Sequence, residues 1–390
     1  MPVATIQHPL GGVPADRLAS RARQVVDFVV SQVPGQGGAD GGEVADDVPP
    51  TLAAPADAWE FNAFISARGW GDGFPVMQPT PERVARMLRA AGVAPGTFVG
   101  RIPPQRLDVT AEHIAANAVL AGCPDAAFPL VLTAIRAALQ PEFNLLGVMA
   151  TTNPCGIGVL ISGPAAKDVG MNAGASLYGP GNPVNATVGR AVRLACQNLG
   201  RAWTGPVDKS TQGQPTKYSL CFAENLDESP WGPYHVDRGF AASDSTVTVI
   251  AAEGPINMHD PASTSAANFL QYVVGSMAHC GHNNLYHLGD LFLVLCPEHA
   301  AMLARDGFDR ERVRQELFAR ARVPANVVGR ETFEHFITHW PRKEEVDYET
   351  SRLALTETAE QIHIAVAGGP GKHSTWLPTF GLTYSTIEKL

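Results

Sequence analysis

The sequence has no hydrophobic run of the ~18 residues that a bilayer span requires, so a membrane partner is not expected. Basic residues are outnumbered, 29 Lys and Arg against 38 Asp and Glu, and the net charge is -9. This charge argues against nucleic acid as the main partner, because the chain would gain little affinity from counterion release. Only six cysteines occur, without the spacing of a disulfide framework, which favours a reducing compartment. The first residues, "MPVATIQHPLGG", lack the basic and apolar regions of a secretory signal, so we expect a cytoplasmic protein.

Two nucleotide-binding signatures are missing as well. The P-loop pattern G-x-x-x-x-G-K-[ST] does not occur, and "GGPGKHS" at 368–374 resembles it only superficially. No G-x-G-x-x-G follows a predicted strand, so neither a nicotinamide nor a flavin cofactor is expected. Glycine and proline are instead plentiful, 38 and 31 residues, which predicts many structured loops of the kind that approach a small ligand closely.

The N-terminal part differs in composition from the rest. An amphipathic helix is predicted at 14–33, whereas the Gly-, Pro- and Asp-rich stretch 34–55 shows no periodicity. We therefore interpret 1–33 as a helical appendage and 34–57 as a flexible acidic linker. The appendage is expected to dock on the body, on a second subunit of a homo-oligomer or on a partner protein.

From Trp59 onward helix and strand patterns alternate, which predicts an α/β fold. The strands are nearly continuous apolar runs, the pattern of a mostly buried, largely parallel sheet. Similar Gly/Pro-rich junction loops after the strands suggest two related halves, 58–240 and 241–390. Ligands in such sheets bind outside the carboxyl ends of the strands, so the junctions are the first place to look for chemistry. The predicted helices are 80–92, 110–123 and 128–139, and the predicted strands are 158–164, 247–255, 291–297 and 362–371.

One stretch, "SMAHCGHNNLYHLGD" at 276–290, is unusually rich in imidazole. His279, Cys280 and His282 are close enough in sequence to share a metal ion if the segment forms a tight loop. Gly281 and the asparagines that follow favour such a loop. The alternative is that the three are loop residues whose side chains bond to backbone.

Two further histidines lie at predicted strand junctions. His259 follows one strand in "EGPINMHDP", and His373 follows another in "AGGPGKHSTW". His287 comes just before the strand at 291–297. If these junctions share one edge of the sheet, His259, His287 and His373 meet in one pocket. They would then hold a divalent transition metal or serve as general acids and bases.

A thiol and a carboxylate are additional catalytic candidates. Cys123 precedes Pro124 at the end of a predicted helix, and the N-terminus of a following helix would lower the pKa of its thiol. Glu224 in "AENLDES" is a candidate acid or base, although a solvated loop carboxylate is the alternative.

The region 172–231 carries the densest polar content, and it predicts a site for a small anion. Asn185 is predicted to cap a helix on which Arg190 and Arg193 lie three residues apart. Lys217 follows among small residues. Such cations suit a carboxylate or a phosphate.

Several segments together resemble a bacterial family of proteins related to or encoded with UGSC-motif (seleno)proteins. The resemblance covers most of 69–381, and its residues imply an enzyme of one specific fold. The chain lacks Cys-Gly-Ser-Cys, so a redox dithiol does not carry over, and "AHC" at 278–280 and Cys155 depart from the family pattern. The segments are "GWGDGFPVMQPTPERV", "NAVLAGCPDAAFP", "GPGNPVNATVGRAVRL", "STQGQPTKYSLCFAENLDESPW", "NNLYHLGDLFLVLCPEHAAMLARDGF" and "AGGPGKHSTWLPTFG". The site residues that the resemblance implies are Cys123, Arg190, Glu224, His259, His287 and His373.

These observations predict an enzyme that acts on a small polar, anionic metabolite by metal- or histidine-assisted chemistry of the lyase or hydrolase type. Cysteine-dependent redox or covalent catalysis at Cys123 is the first alternative. The second is a non-catalytic subunit or binding protein of an enzyme complex. The resemblance gives His287 weight as a site residue and favours the loop interpretation for His279, Cys280 and His282.

Overall fold

Two four-stranded mixed sheets form the framework of the protein in the computed structural model, which describes residues 19–20, 22–23, 52–339 and 345–390. Residues 58–390 make one compact unit. Of the predicted N-terminal helix, residues 19–20 and 22–23 are helical, and the rest of it lies outside the described residues, as does the linker up to residue 51. The strands are β1 (Phe98–Arg101), β2 (Asp108–Thr110), β3 (Gly156–Ser162), β4 (Leu220–Ala223), β5 (Thr246–Ala252), β6 (Ile256–His259), β7 (Leu291–Leu295), β8 (Arg322–Pro324), β9 (Arg352–Ala354), β10 (Ile362–Val366), β11 (His373–Leu377) and β12 (Thr386–Lys389).

Local sequence signals explain where the helices begin and end. Thr80 caps the helix that starts at Pro81 by accepting a hydrogen bond from the amide of Arg83, and Gly92 ends that helix with φ 63°. The helices are α1 (Ala58–Ser66), α2 (Pro81–Ala91), α3 (Ala111–Leu120), α4 (Phe128–Ala138), α5 (Leu145–Ala150), α6 (Ala165–Asp168), α7 (Pro183–Gly200), α8 (Tyr234–Asp237), α9 (Ala266–Met277), α10 (Asn284–His287), α11 (Pro297–Arg305), α12 (Arg310–Arg320) and α13 (Arg330–His339).

The α/β class is confirmed, but the sheets are mixed rather than largely parallel. Sheet 1 has the order β12-β5-β3-β4 and sheet 2 the order β10-β7-β11-β6. In each sheet one pair of strands is parallel, β3 with β4 and β7 with β10, and the other neighbours are antiparallel. Every residue of β3, β5, β7 and β10 is buried, which agrees with their continuous apolar sequences.

The two sheets pack face to face, and helices cover their outer faces. Phe222, Ile250 and Leu160 of sheet 1 share a core cluster with Phe292 and Leu377 of sheet 2. The alternate residues of sheet 2 instead join the buried side chains of α9, α11 and α12. The strands therefore have the two covered faces that their sequences predict, with a sheet on one side and helices on the other.

The chain passes from sheet 1 to sheet 2 after β5, and it returns to sheet 1 after β11. After β5, a central strand of sheet 1, the chain crosses at 253–255 to form β6 in sheet 2. Likewise β11 ends in sheet 2, and the chain returns to form β12 in sheet 1. Both sheets thus have one parallel pair at an edge followed by two antiparallel pairs. The boundary predicted between 240 and 241 falls between β4 and β5, which belong to the same sheet.

Because sheet 1 takes strands from both predicted halves, we predict that neither 58–240 nor 241–390 folds when it is produced alone. Residues 58–240 contain only β3 and β4 of sheet 1, and 241–390 contain β5 and β12. Each fragment would expose the long buried edge along which β3 and β5 pair. We expect each to lack cooperative thermal unfolding when produced separately, and both to assemble when produced together. Circular dichroism melts and size-exclusion chromatography measure this, and a cooperative melt of 58–240 by itself would contradict it.

Among the described residues, no helix combines the length and the apolar character that crossing a bilayer requires.

Candidate active site

A cavity of about 780 Å³ opens at the end of sheet 1 where β3 and β4 begin and β5 ends. The prediction placed ligands at the carboxyl ends of parallel strands. Because β5 runs antiparallel to β3, the junction after β5 instead lies beside the amino ends of β3 and β4. The volume is within the range of small-molecule sites. The walls come from 153–154, 177–179, 185–186, 214–216, 219–221, 253–256, 279, 281–283, 286 and 378.

Glu253 supplies the carboxyl group of this cavity. It directly follows β5, and its backbone amide donates to the carbonyl of Pro378 at 2.8 Å. The side-chain amide of Asn153 donates to Oε1 at 2.5 Å, and the backbone amide of Asn283 donates to Oε2 at 3.1 Å. Burial raises the pKa of this carboxyl above its usual value and outweighs both hydrogen bonds, which lower it. The carboxyl group is thus fixed in position, and its pKa is shifted upward, the direction that suits a general acid or base.

Gly254 allows the chain to turn beside Glu253. Its φ is +127°, and a Cβ atom there would come within 3.0 Å of Oε1 of Gln214, another cavity residue. We therefore expect Gly254→Ala to lower the free energy of unfolding by about 1–3 kcal/mol and to displace the cavity wall. Urea unfolding measures the loss. Gly232→Ala is a matched control, because no atom lies within 4 Å of a Cβ there. Equal effects of the two substitutions would contradict the requirement at Gly254.

Two histidines of the imidazole-rich stretch line the cavity. Nδ1 of His279 lies 2.6 Å from the carbonyl oxygen of Cys280, so this nitrogen donates to the carbonyl, and Nε2 is the acceptor nitrogen of that tautomer. His282 packs edge-to-face between His279, at 4.9 Å between ring centroids, and Trp376, at 5.0 Å. Burial, followed by the neighbouring His279, lowers the pKa of His282 to about 4. Both residues contribute to the cavity wall, although the ring nitrogens of His282 are themselves buried.

Among the residues that the structure describes, those lining the cavity include neither Lys nor Arg, and Glu253 is the one carboxylate. Much of the remaining surface is apolar or aromatic, including Tyr178, Ile256 and Tyr286. An anionic ligand would thus meet a carboxyl group without a compensating side-chain cation, which is costly in a buried site.

The structure brings two of the three junction histidines together. His259 and His373 are cross-strand neighbours in β6 and β11, and their rings stack with centroids 4.2 Å apart. Nδ1 of His373 lies 2.9 Å from Oδ1 of Asn257. Both imidazoles are largely exposed, at the end of sheet 2 where β7 and β10 finish.

His287 lies at the opposite end of sheet 2. It precedes β7, a strand of five residues that spans roughly 13 Å at ~3.3 Å per residue. His287 lines a separate cavity of about 380 Å³, together with Thr151 and Gly381. The three histidines therefore do not converge on one point. Within the described ranges, no three His, Cys, Asp or Glu side chains are grouped to hold a metal ion.

Cys123, the candidate catalytic thiol, is buried, and so is Cys155. Desolvation raises the pKa of Cys123 and of Cys155 to about 12, so both thiols are protonated at neutral pH. The helix that was expected to activate Cys123 does not begin at Pro124: a short 3-10 turn at Asp125–Ala127 leads into α4 instead. The structure thus does not supply the activation on which thiol chemistry at Cys123 depends.

Glu224 is buried at the end of β4 rather than solvated. Its carboxylate accepts hydrogen bonds from Ser162 at 2.5 Å, the amide of Tyr234 at 2.8 Å and Nη2 of Arg310 at 2.9 Å. Burial raises the pKa of this carboxyl, and Arg310 opposes the shift. Arg310 also bonds the carbonyl of Gly232, so the group serves as an internal connection between β4 and α12.

The residues predicted to bind an anion are engaged within the protein. Arg190 forms a bidentate pair with Asp72, at 2.7 and 2.9 Å. Arg193 and Lys217 share Asp208, at 2.7 and 3.0 Å. Asn185 lines the cavity, but its side chain bonds both the amide and the carbonyl of Asn172. It also lies inside the first turn of α7, which begins at Pro183, and does not cap the helix.

Sequence reasoning missed Glu253, although a signal for it was present. Glu253 occupies the "EGP" junction after a predicted strand, the kind of position where chemistry was expected. What the sequence does not reveal is that Asn153 and Asn283, from distant loops, hold the carboxyl in a cavity.

No family model, curated protein or solved structure matches this chain.

Proposed function

We propose that the protein is an enzyme that performs general acid–base chemistry, of the lyase or hydrolase type, on a small uncharged polar molecule bound in the 780 Å³ cavity. The observation that carries this proposal is Glu253, a carboxyl group with a raised pKa that two amide donors hold against a ligand-sized cavity. A carboxyl group whose pKa is raised by burial in a cleft is a candidate catalytic group.

The second polar group of the proposed site is His279. Because its Nδ1 is bonded to the carbonyl of Cys280, its Nε2 is left to accept a hydrogen bond from the substrate. In the proposed reaction the Glu253 carboxylate removes a proton from the substrate and delivers that proton to the leaving atom, while Nε2 of His279 orients the substrate. Glu253 is therefore ionised again when the step is complete.

An uncharged substrate fits better than the anionic one that the sequence predicted. Arg193 and Lys217 neutralise Asp208, and Arg190 neutralises Asp72. The polar side chains that line the cavity carry hydroxyl, amide and imidazole groups and the Glu253 carboxyl. Such groups exchange hydrogen bonds with neutral hydroxyl, carbonyl and amide functions.

Turnover in a mixture of metabolites tests the proposal. The purified protein is incubated with a small-molecule extract, and conversion is followed by mass spectrometry. We expect at least one compound to disappear and a product to form with the wild type and with Glu228→Gln, an exposed carboxylate outside the cavity. Glu253→Gln should convert the same compound far more slowly. Equal conversion by Glu253→Gln, or none by the wild type, would overturn the proposal and favour a binding protein.

A further inference from the structure

His259 and His373 form an exposed cross-strand imidazole pair in sheet 2. The neighbouring pair of these strands is hydrogen-bonded, because the backbone amide of Asp260 donates to the carbonyl of Lys372 at 3.4 Å. Hydrogen-bonded and non-hydrogen-bonded pairs alternate along antiparallel strands, so His259 and His373 are a non-hydrogen-bonded pair. In agreement, the amide of His259 donates to the hydroxyl of Tyr272 at 3.1 Å and not to β11. Side chains come closest together in pairs of this kind, with Cβ atoms about 4.5–5.5 Å apart.

Asn257 fixes the tautomer and the orientation of the His373 ring. Nδ1 of His373 lies 2.9 Å from Oδ1 of Asn257, and an amide oxygen only accepts, so Nδ1 donates and Nε2 keeps its lone pair. Histidines that bind a metal through one ring nitrogen almost always donate the other N–H to an acceptor of this sort. The contact with Asn257 therefore prepares Nε2 of His373 as a metal ligand.

The separation of the two rings suits chelation of one ion. The ring centroids are 4.2 Å apart, and the angle between the ring planes is 1°. Metal–nitrogen bonds of about 2.0–2.1 Å place two ligating nitrogens roughly 3 Å from each other, so the rings need to tilt by only about 1 Å toward one another. Both side chains are exposed, and rotation about their side-chain bonds supplies this movement without disturbing the core.

The charges beside the pair are balanced, which leaves room for a cation. The carboxylate of Glu298 accepts from the backbone amides of Gly371 and Lys372, at 2.5 and 2.8 Å, directly before His373. The ammonium group of Lys372 donates to the carbonyl of Pro261 at 3.1 Å. Because the Glu298 carboxylate offsets the Lys372 ammonium, a metal ion at the pair meets no uncompensated cation among these neighbours.

A cavity adjoins the pair on the side of His373. It has a volume of about 240 Å³, and Tyr178, Gly369 and Thr375 line it together with His373. It opens where the parallel strands β7 and β10 end, the position at which α/β sheets commonly bind ligands. An ion held by two imidazoles has further coordination positions, which water or a ligand in this cavity would fill.

We propose that His259 and His373 chelate one divalent transition metal ion, with water in the remaining coordination positions. Imidazole nitrogens suit zinc, nickel and copper, whereas magnesium and calcium prefer oxygen ligands. Two protein ligands are fewer than the four of a structural zinc site, so the ion is expected to exchange and to keep open positions.

Isothermal titration calorimetry with zinc chloride tests this site. We expect the wild type to bind one Zn²⁺ and to give no binding in a matched titration with magnesium chloride. His259→Asn and His373→Asn should each weaken the affinity for Zn²⁺ about tenfold or more, because losing a ligand costs at least as much as losing the acceptor behind it. Asn257→Leu, which removes that acceptor, should weaken it as well. No binding of Zn²⁺ by the wild type, or an unchanged affinity in either histidine variant, would overturn the inference.

Two control variants show whether other side chains bind the ion. His335 and His339 form a second imidazole pair on α13, with ring centroids 4.2 Å apart. Cys280 is an exposed thiol. His339→Asn and Cys280→Ser should both keep the wild-type affinity for Zn²⁺. If either of them loses binding that His373→Asn retains, the ion is bound elsewhere and the inference is wrong.

Melting temperatures separate the loss of a ligand from a loss of folding. His259 and His373 are exposed, so without metal both asparagine variants should melt within about 2 °C of the wild type. Zn²⁺ should raise the melting temperature of the wild type, because the ion joins β6 to β11 only in the folded protein. The rise should be much smaller in His373→Asn, and an equal rise in the two proteins would contradict chelation by the pair.

The metal site does not depend on the proposed function of Glu253. Ile256 lines the Glu253 cavity, and His259 lies three residues further along β6, roughly 10 Å away at ~3.3 Å per residue. Glu253→Gln should therefore bind Zn²⁺ with the wild-type affinity. A loss of Zn²⁺ binding in Glu253→Gln would place the ion in the Glu253 cavity and overturn the inference.

Discussion

Glu253→Gln is expected to lower kcat by about 10²–10⁴-fold, the usual contribution of a positioned general acid or base. Glutamine keeps the size of the side chain and an oxygen that accepts from Asn153 or from the amide of Asn283. It loses the ability to take up and release a proton. Steady-state kinetics on the substrate found in the turnover experiment measures the change, and KM should vary much less than kcat.

Stability provides the control for this prediction. Burial raises the pKa of Glu253, so the ionised group is less favourable in the folded than in the unfolded protein. The folded state then binds more protons, and this group's contribution to the free energy of unfolding falls as pH rises from the ordinary value near 4.5 through the raised pKa. At neutral pH Glu253→Gln should therefore be as stable as the wild type or more stable. A loss of activity accompanied by a large loss of stability would point to a structural role instead.

The raised pKa of Glu253 should also determine how the rate depends on pH. A general base acts in its ionised form, so kcat/KM should rise with pH through the raised pKa of Glu253 and not through that of an exposed glutamate. The rise should be absent from the residual activity of Glu253→Gln. If kcat/KM of Glu253→Gln rises with pH in the same range as that of the wild type, a group other than Glu253 causes the rise.

Arg310→Met is expected to lower the free energy of unfolding by about 3–5 kcal/mol, because it leaves the Glu224 carboxylate buried without its cation. The two side chains are 4% and 0% exposed and lie 2.9 Å apart. The double variant Glu224→Leu/Arg310→Met removes both charges, and we expect it to recover most of the loss. Urea unfolding of the wild type, the two single variants and the double variant gives the coupling energy.

A second arginine of α12 provides the matched comparison. Arg320 pairs with Glu316 at 3.2 Å, but both side chains are more than one third exposed. Arg320→Met should cost at most about 1 kcal/mol, since solvent screens an exposed pair. If Arg310→Met and Arg320→Met have similar effects, or if the losses at Glu224 and Arg310 simply add, the Glu224–Arg310 pair does not connect β4 to α12 as the structure indicates.

The elements of the fold were largely predictable because their signals are local. Thr80, Pro81 and Gly92 bound α2 within a few residues of sequence, and the apolar runs of β3 and β5 indicate burial on both faces. The direction of pairing was not predictable. Strand β5 pairs antiparallel with β3, and the chain then leaves sheet 1 and enters sheet 2. Both are relations between distant segments that no local pattern encodes.

For the candidate site, too, the local features were visible in the sequence and the long-range contacts were not. The residue types at 253, 279 and 282 are visible in the sequence, and so are the junction and the loop that carry them. Their burial, and the partners of Glu253, depend on contacts across 100 and 30 residues. Arg193 and Lys217 led to a wrong expectation for the same reason. The sequence shows two cations that could bind an anionic ligand, but in the fold both pair with Asp208.

The most direct test of the acid–base role is the titration of the Glu253 carboxyl carbon by ¹³C NMR, with Glu253→Gln used to assign its resonance. We predict that Glu253 titrates at a pH clearly above that of the exposed Glu228 in the same spectra. A midpoint at or below that of Glu228 would show that the two amide hydrogen bonds outweigh burial. It would contradict the assignment of Glu253 as the acid–base group of the cavity.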